Sequence, residues 1–254
     1  MSKLFDLKGR TALITGSSRG IGRAIAERMA EAGARVVVSS RKLDACEEVV
    51  AAIRKAGGDA TAIACNISNK DELQALVDQS RKAYGKIDIL VCNAAVNPHY
   101  GTTQEIPDSA FQKVIDCNIR SNHWLCQMVV PEMAERGDGA VLIVSSIGGL
   151  KGSSSLGTYG LSKAADMALA RNLAVEWGPR NVRVNCIAPG LVKTDFARSL
   201  WENPETYKQA VQRYPLRRIG EPDEIAGTAI FLASKAGSFI TGQTIVVDGG
   251  ATIT

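Results

Sequence analysis

Tyr159 and Lys163 are four residues apart in Tyr-Gly-Leu-Ser-Lys, and Ser146 precedes the tyrosine by thirteen positions. On a helix, i,i+4 spacing sets a phenol and an ammonium on one face, about 5–6 Å apart at Cβ. A phenol with an ordinary pKa of about 10 is a poor proton carrier at neutral pH, and a fixed cation beside it favours the phenolate. With a hydroxyl donor added, such a pair moves a proton on and off a carbonyl oxygen. Taken alone, the same spacing suits a solvated helix face, so the rest of the chain must decide between the two.

The elements that would position these groups are legible as an alternation. Short β-branched runs at 11–15, 35–39, 60–64, 87–91, 140–144, 182–186 and 244–247 are separated by amphipathic segments at 20–32, 43–56, 70–84, 108–136, 157–177 and 222–234. Apolar strands spaced by helices predict a doubly wound α/β fold of Rossmann type, with about seven parallel strands and helices on both faces. The 254 residues are expected to form a single domain, 1–254. Ligands of such sheets bind beyond the carboxyl ends of the strands, so function is sought just after each strand.

The first strand runs into Thr15-Gly16-Ser17-Ser18-Arg19-Gly20-Ile21-Gly22, where a helix begins. Glycines there let the backbone approach a pyrophosphate, and the helix N-terminus offers free N–H groups. The second strand ends Ser39-Ser40-Arg41-Lys42, without the acid that a NAD-specific site carries for the ribose diol. Arg41 and Arg19 can instead pair with a 2′-phosphate, which favours NADP(H), although either can also be a solvated surface charge.

Composition excludes several other classes. Apolar content is 45%, charged content 22% and the formal net charge +4, with no block of basic residues to suggest nucleic acid. Six irregularly spaced cysteines read as reduced thiols, and the two histidines, His99 and His123, belong to no ligand-spaced cluster, so no metal is expected. No apolar run is long enough for a membrane span and no signal segment is read at the N-terminus, which predicts a soluble, cytoplasmic protein.

These residues together resemble the short-chain dehydrogenase/reductase family from Gly9 to Gly250. The marks occur in order: Thr-Gly-x-x-x-Gly-Ile-Gly at 15–22, Asn93-Ala94-Ala95, Asn118, Ser146, Tyr159-x-x-x-Lys163, Pro189-Gly190 with Thr194, and Val247-Asp248-Gly249-Gly250. Within the family the chain looks like the NADP-dependent retinol dehydrogenase/carbonyl reductase branch. Two departures stand out: Ala95 replaces a glycine, and Asn66 replaces an aspartate after the third strand. Peroxisomal members of the branch end in a Ser-Lys-Leu type of address, whereas this chain ends Thr252-Ile253-Thr254, in keeping with a cytoplasmic expectation.

The resemblance implies roles. Ser146 would hydrogen-bond the substrate carbonyl, Tyr159 would exchange its proton, Lys163 would support the tyrosine and bind the nicotinamide ribose, and Asn118 would hold a water reaching Lys163. Ser145 is the rival of Ser146, but strand alternation sends the two to opposite sides. The cofactor would contact Gly16, Ser18, Arg19, Gly20, Ile21 and Gly22 on the first turn, and Ser40 and Arg41 on the second strand. Asn66, Ile67, Asn93, Ala94 and Ala95 would follow, with Tyr159 and Lys163. Pro189, Gly190, Val192 and Thr194 would close the nicotinamide side, although Pro189-Gly190 suits a simple strand end equally well.

Segment 190–220 breaks the alternation and carries Phe196, Leu200, Trp201, Tyr207 and Tyr214. It reads as a substrate lid, with Phe196, Leu200 and Trp201 facing an apolar or aromatic carbonyl or alcohol, or else as a subunit contact. His99 and Tyr100 would add a polar rim. Two alternatives accompany this reading. One is a 3-oxoacyl-carrier-protein reductase, with Arg136 and Arg180 either near the entrance or simply solvated surface charges; the other is an idle NADPH-binding regulator. A homotetramer is implied by the family, and Val129, Val130, Met133, Ala165, Ala168 and Leu169 offer apolar helix surface for it or for the core.

Overall fold

Seven runs dominated by Val, Ile, Ala and Thr form one parallel sheet, because side chains branched at Cβ pack well on a pleated surface buried from both sides. The computed structural model describes residues 3–212 and 214–254; Met1, Ser2 and Arg213, the last within the 190–220 segment, lie outside the described residues. The strands are β1 Thr11–Thr15, β2 Arg35–Ser40, β3 Asp59–Ala64, β4 Ile89–Cys92, β5 Gly139–Val144, β6 Val182–Pro189 and β7 Thr244–Val247, in the order β3-β2-β1-β4-β5-β6-β7. The order reverses between β1 and β4, which pair through Ile14 and Val91.

The helices are α1 Gly20–Glu31, α2 Leu43–Lys55, α3 Lys70–Tyr84, α4 Asp108–Val114, α5 Ser121–Glu135, α6 Gly157–Trp177, α7 Arg198–Trp201, α8 Pro204–Gln212 and α9 Pro222–Ala233; α1, α2, α3, α5, α6 and α9 cover the sheet, and α7 and α8 lie in the insertion between β6 and β7. Strand alternation divides the core in two. Ala12, Ile14, Val36, Val38, Leu142 and Val144 pack toward α1, α2 and α9. Leu13, Val37, Val141 and Ile143 pack toward α3, α5 and α6.

The structure departs from the sequence reading at three places. The predicted helix 108–136 is interrupted by a π turn, Ile115–Arg120, which carries Asn118. Strand β6 runs on to Pro189, because its second half pairs with β7 from Cys186↔Thr244 to Pro189↔Val247. Segment 190–220 contains α7 and α8 rather than irregular chain, and its ends are joined by Lys193 N–H to Gly220 O and Gly220 N–H to Leu191 O, each 2.9 Å. Paired ends make it an insertion with a fixed base.

Asp88 ties the strands together below the switch point. It is 1% exposed, its Oδ2 accepts from Thr11 N–H at 2.9 Å, and Lys86 Nζ lies 3.0 Å from Oδ1. Asp88→Ala leaves the Thr11 N–H buried without its acceptor and is expected to lower unfolding free energy by about 2 kcal/mol, read from the urea midpoint at constant m.

Candidate active site

Parallel strands deliver their carboxyl ends to one edge, and at the β1/β4 switch point this brings two turns side by side. Thr15 binds them: its hydroxyl accepts from Asn93 N–H at 3.1 Å and from Ala94 N–H at 3.2 Å. Asn93 answers, donating from Nδ2 to Thr15 O at 2.9 Å and Gly16 O at 3.0 Å. The Asn93 amide therefore holds the first turn in shape. Ser17 joins the turn to β2, its N–H donating to Ser39 O at 3.1 Å and its hydroxyl accepting from Ser39 N–H at 2.9 Å.

Only glycine fits this turn. Gly16 has φ +66°, and a Cβ there would lie 2.8 Å from Ala94 Cα; a Cβ on Gly22 would overlap Gly16 O and Asn93 Nδ2. A methyl on Gly20, at φ +56°, would meet Thr194 Cγ2 at 3.2 Å, so Thr194 of the insertion closes over the turn. Helix α1 begins there with no side-chain cap and no acid in its first turn. Unanswered N–H groups at the positive end of a 12-residue helix, with a bare backbone beside them, suit an anionic pyrophosphate.

Around the turn, Ser18 is half-buried and Arg19 exposed, while Ile21 packs into the core. Ser40 hydrogen-bonds Lys42 O and contacts Cys46 Sγ, and Arg41 is exposed just beyond the β2 residues stitched to Ser17. Asn66 uses Oδ1 to accept from Ser68 Oγ at 3.0 Å, and Ile67 packs against the α3–α6 core. Ala95 is not among the described residues of positive φ, so its methyl is tolerated without strain.

One strand further along the edge, β5 and α6 bring together Ser146, Tyr159 and Lys163. A methyl built on Gly148 would lie 3.4 Å from Ser146 Oγ and 3.9 Å from the Tyr159 ring, so one glycine lies between hydroxyl and phenol. Lys163 Nζ is 5.8 Å from the centre of the Tyr159 ring. The ammonium is buried, 2% exposed, and donates to Val144 O at 2.8 Å and Asp166 Oδ2 at 3.0 Å. Burial opposes its charge; Asp166 and Tyr159 outweigh that and hold it above the ordinary lysine value. Burial pushes the Asp166 carboxyl up, with Lys163 and Asn122 pulling it back.

Ser145 and Ser146 do different things. Ser145 is buried and its hydroxyl donates to Lys163 O at 2.7 Å, whereas half-buried Ser146 accepts from Gly148 N–H at 3.0 Å. Asn118 is fully buried in the π turn: Oδ1 accepts from Val96 N–H at 2.8 Å, and Nδ2 donates to Val96 O and to Ser162 Oγ at 3.0 Å. Its side chain links the loop after β4 to α6.

The insertion contributes unevenly. Phe196 places its ring 6.0 Å from that of Tyr159, and Trp201 Nε1 donates to Thr194 O at 2.9 Å, steadying the residue beside Gly20. Leu200 is half-buried on α7. Gly190 N–H donates to Val247 O at 2.9 Å and Pro189 ends β6, so both fasten the strand end, and Val192 is buried. The loop with His99 and Tyr100 lies against the start of α6 through Gly101 N–H to Ser155 O at 3.0 Å.

The structure decides two readings that the sequence left open. Arg136 donates to Ile87 O and Arg180 precedes β6, so both lie at the amino ends of the strands, opposite the site. Val129, Val130 and Met133 are at most 1% exposed, packed between α5 and the sheet, and offer no surface for another subunit. Sequence reasoning read Thr15 only as the head of the glycine motif and missed Asn122 and Asp166 as site-forming residues. For Asp166 a signal existed: an acid three positions after Lys163 on the same helix face.

Residues 16–252 match the family described as enoyl-(acyl carrier protein) reductase. Among relatives, human dehydrogenase/reductase SDR family member 4 is 43% identical over 250 residues, 98% of this chain and 90% of that protein. The bovine protein of the same name is 43% identical over 251 residues, 99% of this chain and 90% of that protein. A 7α-hydroxysteroid dehydrogenase solved with NADH and 7-oxo glycochenodeoxycholic acid superposes with TM-score 0.95 at 40% identity, covering 98% of this chain and 97% of that one. A gluconate 5-dehydrogenase from Burkholderia cenocepacia, solved with NADP and tartrate, gives TM-score 0.95 at 31% identity, covering 99% and 98%.

Gly22→Ala forces Gly16 and Asn93 apart. Dinucleotide affinity, read by titration calorimetry, is expected to fall on the order of tenfold or more, with the circular dichroism spectrum retained.

Proposed function

The chain belongs to the short-chain dehydrogenase/reductase family and is an oxidoreductase acting on CH–OH and carbonyl groups; from that premise we propose an NADP(H)-dependent enzyme that reduces apolar or aromatic ketones and aldehydes. The observation that carries the proposal is the junction of β5 and α6, where Ser146 and Tyr159 flank Gly148 and the buried Lys163 ammonium stands behind the phenol ring.

The cofactor, when bound, supplies hydride to the carbonyl carbon or takes it from the alcohol. The Ser146 hydroxyl donates to the carbonyl oxygen and stabilises its growing negative charge. Tyr159 gives that oxygen its proton in reduction and removes it in oxidation. Lys163 supports the charge that Tyr159 then carries, and the ammonium hydrogen not taken by Val144 and Asp166 is free for the nicotinamide ribose. Asn118 keeps the loop after β4 at its distance from α6.

Preference for NADP(H) is supported by Ser40 in place of an acid and by exposed Arg41 and Arg19 around the turn. An apolar or aromatic substrate is supported by Phe196 standing over Tyr159, with 190–220 acting as a lid on its paired base. A homotetramer, implied by the family, belongs to the same reading, with Ala165 and Ala168 of α6 left half-buried for such a contact. Six buried free thiols accord with a cytoplasmic setting.

A second reading is reduction of a 3-oxoacyl group on a carrier protein, because the matched enoyl-(acyl carrier protein) reductase family names the same carrier, although its named reaction is at a C=C bond. Parallel turnover of an acetoacetyl thioester and benzil with NADPH separates the two, and faster turnover of the thioester overturns the preferred substrate class.

Ser146→Ala is expected to lower kcat about 10²- to 10³-fold and Ser145→Ala far less; equal losses would contradict the assignment. Arg41→Ala is expected to reduce the NADPH-over-NADH ratio of kcat/KM by roughly tenfold, and an unmoved ratio removes the basis for NADP(H).

A further inference from the structure

Tyr159 and Lys163 are fixed by their motif, but the ammonium hydrogen-bonds to two acceptors and only one is backbone. Val144 O takes one hydrogen at 2.8 Å and Asp166 Oδ2 another at 3.0 Å. Asp166 is 1% exposed. Its second oxygen, Oδ1, accepts from Asn122 Nδ2 at 2.9 Å, and the same amide donates to Asn118 O at 2.8 Å, inside the π turn. An unbroken chain of contacts therefore runs from the π turn through Asn122 and Asp166 to Lys163. Among the described residues, Asp166 is the ion-pair partner of Lys163.

We propose that Asp166 is a positioning residue: its carboxylate fixes the Lys163 ammonium behind Tyr159 and cancels part of the cation's field, so that the hold of Tyr159 on its proton depends on it. The inference rests on the oxidoreductase reading and names a group outside the family's sequence marks. A lone ammonium in a dry site favours an adjacent phenolate strongly. A carboxylate at hydrogen-bond distance makes a near-neutral pair, whose field at the phenol is weaker.

The other groups around the pair leave this tuning to Asp166. Tyr159 faces it from α6. Cys186 of β6 donates its thiol to Asp166 O at 3.3 Å, and burial pushes that thiol up. Cys92 of β4 is pushed up by a hydrogen bond with Cys126 of α5 and by burial. Burial thereby favours the neutral form of the Cys186 and Cys92 thiols. Arg171 of α6 is exposed and acts on Cys186 through solvent.

Asp166→Asn keeps the shape and removes the charge. The pH dependence of kcat is measured for oxidation of benzoin with NADP, alongside KM for both substrates. The expected result is a rising limb displaced by about one unit, to lower pH where Lys163 keeps its proton and to higher pH where burial, no longer opposed by Asp166, removes it, with each KM changed by less than about threefold. A limb that stays in place, whatever happens to stability, overturns the proposal. A second measurement needs neither the variant nor turnover: side-chain ¹H–¹⁵N spectra of the unmodified protein with NADP bound. A Lys163 ammonium that stays protonated throughout the limb supports the ion pair, and its loss near neutral pH overturns it. If no carbonyl or alcohol is turned over, the activity reading fails and the spectra alone judge the pair.

Discussion

A lysine ammonium that is 2% exposed is the constraint around which this site is built. Water cannot solvate it, so the fold must supply acceptors at fixed places. Val144 O does so from the last residue of β5, and Ser145 returns the contact by donating to Lys163 O at 2.7 Å. Strand and helix are thereby fastened in both directions at adjacent residues. Ser146 follows directly on the strand and Tyr159 lies one helical turn before the lysine, so satisfying the buried cation also sets the distance between hydroxyl and phenol.

The same economy of means governs the neighbouring turns after β1 and β4. Thr15 and Asn93 look like ligand-binding residues, yet their side chains hold the turns after β1 and β4 against each other. What faces outward is backbone: the uncapped start of α1, left bare by glycines that have no room for a Cβ. Side chains fix the shape, and unpaired N–H groups provide the attraction for an anion.

One connection runs against the rest. Joining β4 to β5 and β5 to β6 keeps α5 and α6 on one face, whereas α9, which joins β6 to β7 in the same lateral direction, lies beside α1 on the other. This crossover is of opposite hand to its neighbours, contrary to the usual preference. The reason is coverage. Leu142, Val144 and Ile187 would otherwise face water, and α9 buries them with Ile225, Ala229 and Leu232. The insertion that brings Thr194 to the phosphate turn and Phe196 to Tyr159 occupies this same connection.

The sequence by itself determined the strands, most helix boundaries, the glycine turn and the helical register of Tyr159 and Lys163, because each depends on local periodicity or on local sterics. It could not separate an apolar helix face in the core from one at a surface, which is why Val129 and Met133 stayed ambiguous until the sheet was in place. Nor could it place Arg136 and Arg180 at the amino edge. Tertiary structure alone decided the π turn around Asn118, the hand of the last crossover and the partners of Lys163. Those partners, Val144 and Asp166, matter through burial, and burial is a property of the assembled layers rather than of any stretch of chain.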